Sequence, residues 1–168
     1  MSKSQELKLH KYLKKNPITI SNKKASFLDH EVSVHKAHYV FTKEITYTPV
    51  DDENEVSIEK YRENLKGSFG RIDTILYYRT STYCCEIKGT QSPNQFFDAL
   101  KVLGYTAYYN WENSAHAKPA IIMPFEHITI EHQIMSGKLN ILLIGYKLDG
   151  EHYKLTEIGD TPIWKQHI

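Results

Sequence analysis

Residues 70–89 read GRIDTILYYRTSTYCCEIKG, a run that divides into two β-rich halves. Ile72 to Tyr78 and Thr82 to Lys88 are dense in β-branched and aromatic residues, and polar Arg79-Thr80-Ser81 separates them. That is the signature of a β-hairpin with a short turn. Gly67 and Gly70 bracket the entry to the first strand. In the second strand Glu86 and Lys88 stand two apart, so both side chains leave one face while Ile87 enters the core. Asp73 lies in the partner strand and can reach that face. An ordinary cross-strand charge pair on a wet face would use the same residue types. The context argues against it, because Tyr83, Cys84, Cys85 and Ile87 make this strand apolar on both sides. Acids in a buried strand require a partner or a metal. Asp73 and Glu86, with adjacent backbone oxygens, would form a hard oxygen site suited to Mg²⁺ or Mn²⁺. Lys88 beside it would orient or deprotonate an attacking water, or stabilise charge on a phosphate.

Outward from the hairpin, the stretch Asn94–Tyr109 reads as a helix with Phe97, Leu100, Leu103 or Gly104, and Ala107 on one face. The apolar run Ala120–Met123, a helix over 127–136 and a second apolar run Ile141–Leu148 follow. Strand–helix–strand order with continuous apolar strands predicts a parallel crossover in a buried sheet. Tyr153–Ile158 adds a final edge strand. Upstream, residues 4–15 predict a helix, capped by Ser4 and ended by Asn16-Pro17. Between 18 and 50, four short alternating groups argue for strands: Ile18–Ile20, Val32–Val34, Tyr39–Phe41 and Ile45–Tyr47. A helix across 26–41 is the rival reading, and the acidic segment 51–66 suits a loop or short surface helix. The sum is one domain over 1–168, an α/β sandwich with a mixed central sheet and helices on its faces.

Composition sets bounds. With 40% hydrophobic and 24% charged residues, the chain is not disordered as a whole. No apolar run approaches the roughly 18–20 residues that span a bilayer. The N-terminal MSKSQELKLH has no apolar core after its lysines. The expectation is therefore a soluble, cytoplasmic protein without a membrane partner. Adjacent Cys84 and Cys85 point to opposite strand faces and suit reduced thiols rather than a strained disulfide. The net charge of +1 conceals an asymmetry, since residues 1–24 hold seven lysines and one acid while 51–63 hold six acids. The basic arm can track phosphates, and it can equally be a solvated helix face. None of the nine histidines forms a convincing HxxxH pair, and none is assigned a role.

Asp73 followed, after twelve intervening residues, by Glu86-Ile87-Lys88 resembles the core motif of the PD-(D/E)XK nuclease superfamily. The Gly-Arg-Ile-Asp lead-in is frequent in that group, and the spacing is similar to that of archaeal Holliday-junction resolvases. The surrounding text looks closer to nuclease domains that cut single-stranded, branched or mismatched DNA. Those often open with a helix of the form Glu-x-x-Leu…Leu…Asn-Pro, here Glu6, Leu9, Leu13, Asn16 and Pro17. The resemblance spans about 4–148 and is firmest over 70–109. It implies a restriction-endonuclease-like α/β sandwich, with Asp73 and Glu86 as metal ligands joined by the Ile87 carbonyl, and Lys88 as the catalytic lysine. It implies Glu6 as a helix carboxylate that helps hold the metal or its water, with Glu31 and Glu44 as competing upstream acids. The proline of the superfamily's name is absent, Ile72 standing before Asp73. Where many relatives place a glutamine one turn before a tyrosine, this chain has Lys101 before Tyr105. Lys101 would then bind a phosphate, and Gln91, Gln95 and Tyr105 would contact nucleic acid.

The expected activity is Mg²⁺- or Mn²⁺-dependent hydrolysis of DNA, structure-selective rather than sequence-selective because no specificity domain is evident. An RNA substrate stays open. Small nucleases of this kind often act as homodimers, and strand 141–148 or the aromatic helix end would supply such an interface. The competing reading is a non-catalytic nucleic-acid- or protein-binding domain that keeps the nuclease fold.

Overall fold

The computed structural model describes residues 2–15, 17–35, 68–89 and 95–159. Helix α1 spans Ser2–Lys15, followed by strands β1 (Ile18–Ile20) and β2 (Lys23–His35). The hairpin comprises β3 (Ser68–Tyr78) and β4 (Ser81–Ile87), and helix α2 covers Gln95–Asn113. Strand β5 (Lys118–Pro124), a 3₁₀ turn (Phe125–His127), helix α3 (Ile130–Lys138) and strands β6 (Leu142–Asp149) and β7 (His152–Ile158) complete the chain. The rival helix across 26–41 is overturned as far as His35, where the backbone is strand. The expected strands at 39–41 and 45–47, and the segment 51–66, lie outside the described residues.

The hairpin is tighter than its sequence suggests. Tyr78 pairs with Ser81, leaving a two-residue turn of Arg79 (φ 49°) and Thr80 (φ 65°). Both turn residues are left-handed, as in the primed turns whose twist matches a hairpin's. The β1–β2 turn repeats the device with Ser21 (φ 47°) and Asn22 (φ 62°), and Gly150 (φ 63°) opens the β6–β7 turn. Strand β2 steps two residues, Phe27 to Asp29, while β3 steps one, Leu76 to Ile75. This bulge leaves the Asp29 carbonyl to accept the buried Thr74 hydroxyl at 2.8 Å.

The expected sandwich with an open central sheet is not what the chain forms. The seven strands close into a mixed barrel in the order β1-β2-β3-β4-β5-β6-β7. Strands β4, β5 and β6 run parallel, as the crossover pattern predicts, and the other neighbouring pairs in chain order are antiparallel. Closure comes from three-residue β1, which lies antiparallel to β2 and meets β7 in parallel at Ile20 and Leu155. The Ser21 N–H donates to the Leu155 carbonyl at 3.1 Å across the same seam. Strand β7, expected at an edge, therefore has a neighbour on each side. The Tyr78 hydroxyl reinforces the seam by donating to Glu157 at 2.8 Å, and Arg79 pairs with the same carboxylate at 3.2 Å. Strand twist carries the two ends of such a sheet towards each other, and a short strand that serves both completes the ring.

Two sets of side chains leave the wall. Cys85, Ile87, Leu76, Ile122 and Ile144 pack in one cluster with Leu9 and Leu13 of α1. Cys84 belongs with Ile72, Ile75 and the tyrosines of α2, while Ile121, Met123 and Leu143 pack on Ala99 and Val102 of the same helix. Both cysteines are free, buried thiols. Among the described residues, no helix is long and apolar enough to cross a membrane.

Candidate active site

Glu86 lies in the buried part of β4, at 4% exposure. Its Oε1 accepts from the Lys88 ammonium at 3.0 Å and from the Lys101 ammonium of α2 at 2.8 Å. Lys88 also pairs with Asp98 of α2 at 3.1 Å. Burial disfavours the charge on Lys88, but Glu86 and Asp98 outweigh it and raise the lysine above its ordinary pKa. Lys101 is raised in the same way, burial opposing and Glu86 prevailing. The backbone at Lys88 is pinned from both sides, its N–H donating to the Ile122 carbonyl at 2.8 Å and its carbonyl accepting the Tyr146 hydroxyl at 2.9 Å. The group thus sits at the carboxyl end of a parallel strand, the end where ligands bind in parallel α/β folds.

Asp73 approaches from β3, and its Oδ2 accepts the Ile87 N–H at 2.7 Å. This bond ties the Asp73 carboxyl to the backbone of β4 between Glu86 and Lys88. Burial first, then the charges of Glu86 and Glu6, hold the Asp73 carboxyl well above the usual carboxylate range, against the Ile87 N–H and Lys101.

The fourth corner comes from α1. Glu6 and His10 are one helical turn apart and so share a face. Their ligand atoms and those of Asp73 all lie within 4.8 Å of one another. Of the competing acids, Glu31 is exposed and outside this group, and Glu44 lies outside the described residues. His10 is the residue that the sequence reading left out. Its signal was present as the Glu6–His10 spacing on the predicted helix, but a search for paired histidines passes over a histidine paired with a carboxylate. Burial, then His30 and Lys14, lower the His10 pKa, which favours the neutral imidazole that ligates metals. The His10 ring meets His30 edge-on at 6.3 Å, and His30 stacks on Phe27.

The remaining expected contacts divide. Tyr105 lies against β3, where a Cβ on Gly70 would collide with its hydroxyl, so glycine is what admits the ring. The Lys101 ammonium stands 5.5 Å from the centre of that ring. Gln95 opens α2, and Gln91 lies outside the described residues. The donor set of two carboxylates and one imidazole, each half-buried and with Glu86 nearby, could hold a divalent cation. Comparison with protein-family models, with curated proteins and with solved structures finds no match to this chain.

Proposed function

We propose that this protein is a divalent-metal-dependent nuclease that hydrolyses phosphodiester bonds in DNA. The observation that carries the reading is the meeting of Glu6, His10 and Asp73 within 4.8 Å beside the Glu86–Lys88 pair. Glu6, His10 and Asp73 would hold the cation, with Glu86 next to it. A cation there supplies Lewis-acid polarisation of the scissile phosphate. Lys88, whose pKa is raised, keeps its proton and acts as a donor to the phosphate oxygens rather than as a base. The pinned backbone on both sides of its Cα holds that donor in place. Exposed Lys8, Lys11, Lys14 and Lys15 lie on the helix that carries Glu6 and His10, which supports a phosphate backbone running past α1.

The test is cleavage of single-stranded, duplex and branched DNA, and of RNA of matched sequence, with Mg²⁺ and with Mn²⁺. Asp73→Ala should abolish metal binding and cleavage together, whereas Lys88→Met should lose rate while binding the metal at least as tightly as wild type. Failure to cut any of these substrates with either metal would overturn the proposal. One observation favours a second reading. Glu86 is already matched by two lysines, as in a closed ion-pair network of a non-catalytic nucleic-acid-binding domain. In that case calorimetry with Mn²⁺ would record no Asp73-dependent heat.

A further inference from the structure

We propose that Lys101 is a built-in counter-cation that holds Glu86 in the metal-free protein and competes with a divalent ion for it. The inference rests on the cation site of the preceding section. Two ammonium groups converge on one carboxylate oxygen, Lys101 at 2.8 Å and Lys88 at 3.0 Å. Asp98 answers the charge of Lys88, so the charge that a further cation approaching Glu86 would meet is that of Lys101.

The two lysines are not equivalent. Lys88 has a second anion in Asp98 at 3.1 Å and a backbone anchored at both its N–H and its carbonyl. Its ammonium can leave Glu86 only by abandoning half of a bridge between strand and helix. Lys101 comes from the helix alone, its side chain is more exposed (32% against 23%), and beside Glu86 it meets the face of Tyr105. A ring face attracts a cation more weakly than a second carboxylate does. Lys101 is therefore the cation that yields.

Its resting position is nonetheless built. Gly70 lets Tyr105 lie against β3, where a Cβ would exclude it. The ring, one turn along α2 from Lys101, then sits beside the ammonium at 5.5 Å. Released from Glu86 by an incoming ion, that ammonium remains close to the site and is free to meet the phosphate. Lys101 is in this account a positioning residue for Glu86 and a phosphate contact only after displacement.

Calorimetric titration of Mn²⁺ into wild type, Asp73→Ala and Lys101→Gln separates these ideas. Glutamine keeps a hydrogen-bond donor for Glu86 and removes the charge, and Lys101→Met is the second variant should the first not fold. A unit charge about 6 Å from a divalent ion in a water-like dielectric changes its affinity by about tenfold. Lys101→Gln should therefore bind Mn²⁺ about tenfold more tightly than wild type, while KM for DNA rises. Lys101→Arg, which keeps the charge, should restore both values. Affinity for Mn²⁺ that is unchanged or weakened in the charge-removed protein overturns the Lys101 inference and leaves the cation site standing. Identical titrations of wild type and Asp73→Ala overturn the site, and the inference with it.

Discussion

Replacing Asp73 by asparagine should make the metal-free protein more stable. The carboxylate accepts the Ile87 N–H at 2.7 Å, and an amide oxygen can accept the same bond. What the substitution removes is charge. The Asp73 carboxylate lies within 4.8 Å of that of Glu6. Two unit charges about 5 Å apart repel by about 1 kcal/mol in water and about 3 kcal/mol at an effective dielectric near 20. Partly exposed Glu6 favours the lower figure, and buried Glu86 adds to the repulsion. The expected gain is about 1–3 kcal/mol, or roughly 2–10 °C in Tm for a chain of this size. The effect depends on pH in a defined direction. Burial and then Glu86 raise the Asp73 pKa, so the folded protein holds this proton more tightly than the unfolded chain does. Stability is then lost as pH climbs above the unfolded value of about 4 and through the folded one, a decline that Asp73→Asn should lack. Urea melts in EDTA should show a small advantage at about pH 5 and the full one at about pH 8. Mn²⁺ should reverse the order, because only wild type gains from binding, by about 4.1 kcal/mol at a thousandfold excess over Kd. An Asp73→Asn protein less stable than wild type at the higher pH in EDTA would make Asp73 a structural acceptor and refute the electrostatic reasoning.

Gly70→Ala should cost about 1–3 kcal/mol, because the new methyl group meets the Tyr105 hydroxyl and the ring behind it; an unchanged Tm would mean that Tyr105 moves aside freely. Burial pushes the Cys84 thiol up to about 12 and that of Cys85 well above its ordinary value. A disulfide reagent at about pH 8 should therefore label neither cysteine in the folded protein and both after denaturation, and rapid labelling of the native state would contradict the packing. Binding of Mn²⁺ should slow hydrogen exchange in α1 as well as in β3 and β4, since Glu6 and His10 share the site with Asp73. Slowing confined to the strands would place the helix outside the site.

The parts of the fold legible in the sequence are those determined locally. Turn chemistry and β-rich composition over 72–88 marked the hairpin, and the apolar runs around Ile121 and Leu143 marked parallel strands. Closure of the barrel was not legible. It depends on a single register pair between Ile20 and Leu155, from strands at opposite ends of the described chain, and no periodicity within either strand encodes a partner that distant. The nearness of Lys101 to the site was readable from its place one turn before Tyr105. Its attachment to Glu86 was not, because a lysine can bind a phosphate or a carboxylate and spacing does not distinguish them.

Helix α1 joins core and chemistry through its own geometry. Glu6 and Leu9 are three residues apart, as are His10 and Leu13, so the apolar stripe and the stripe of Glu6 and His10 adjoin along the helix. Leu9 and Leu13 are buried in the cluster that holds Cys85 and Ile87. The docking that removes these leucines from water therefore delivers Glu6 and His10 to Asp73. From the other face of β4, Cys84 meets the tyrosines of α2 and Glu86 meets Lys101. The hairpin carries one carboxylate towards each helix, but the charges are unevenly shared. Both ammonium groups sit on Glu86, while among the described residues Asp73 accepts the Ile87 N–H and is crowded by Glu86 and Glu6. A network built only for stability would place its cations where the repulsion is. Carboxylates crowded beside an imidazole whose pKa is lowered, with both ammonium groups spent on Glu86, are the distribution that supports the proposed cation site.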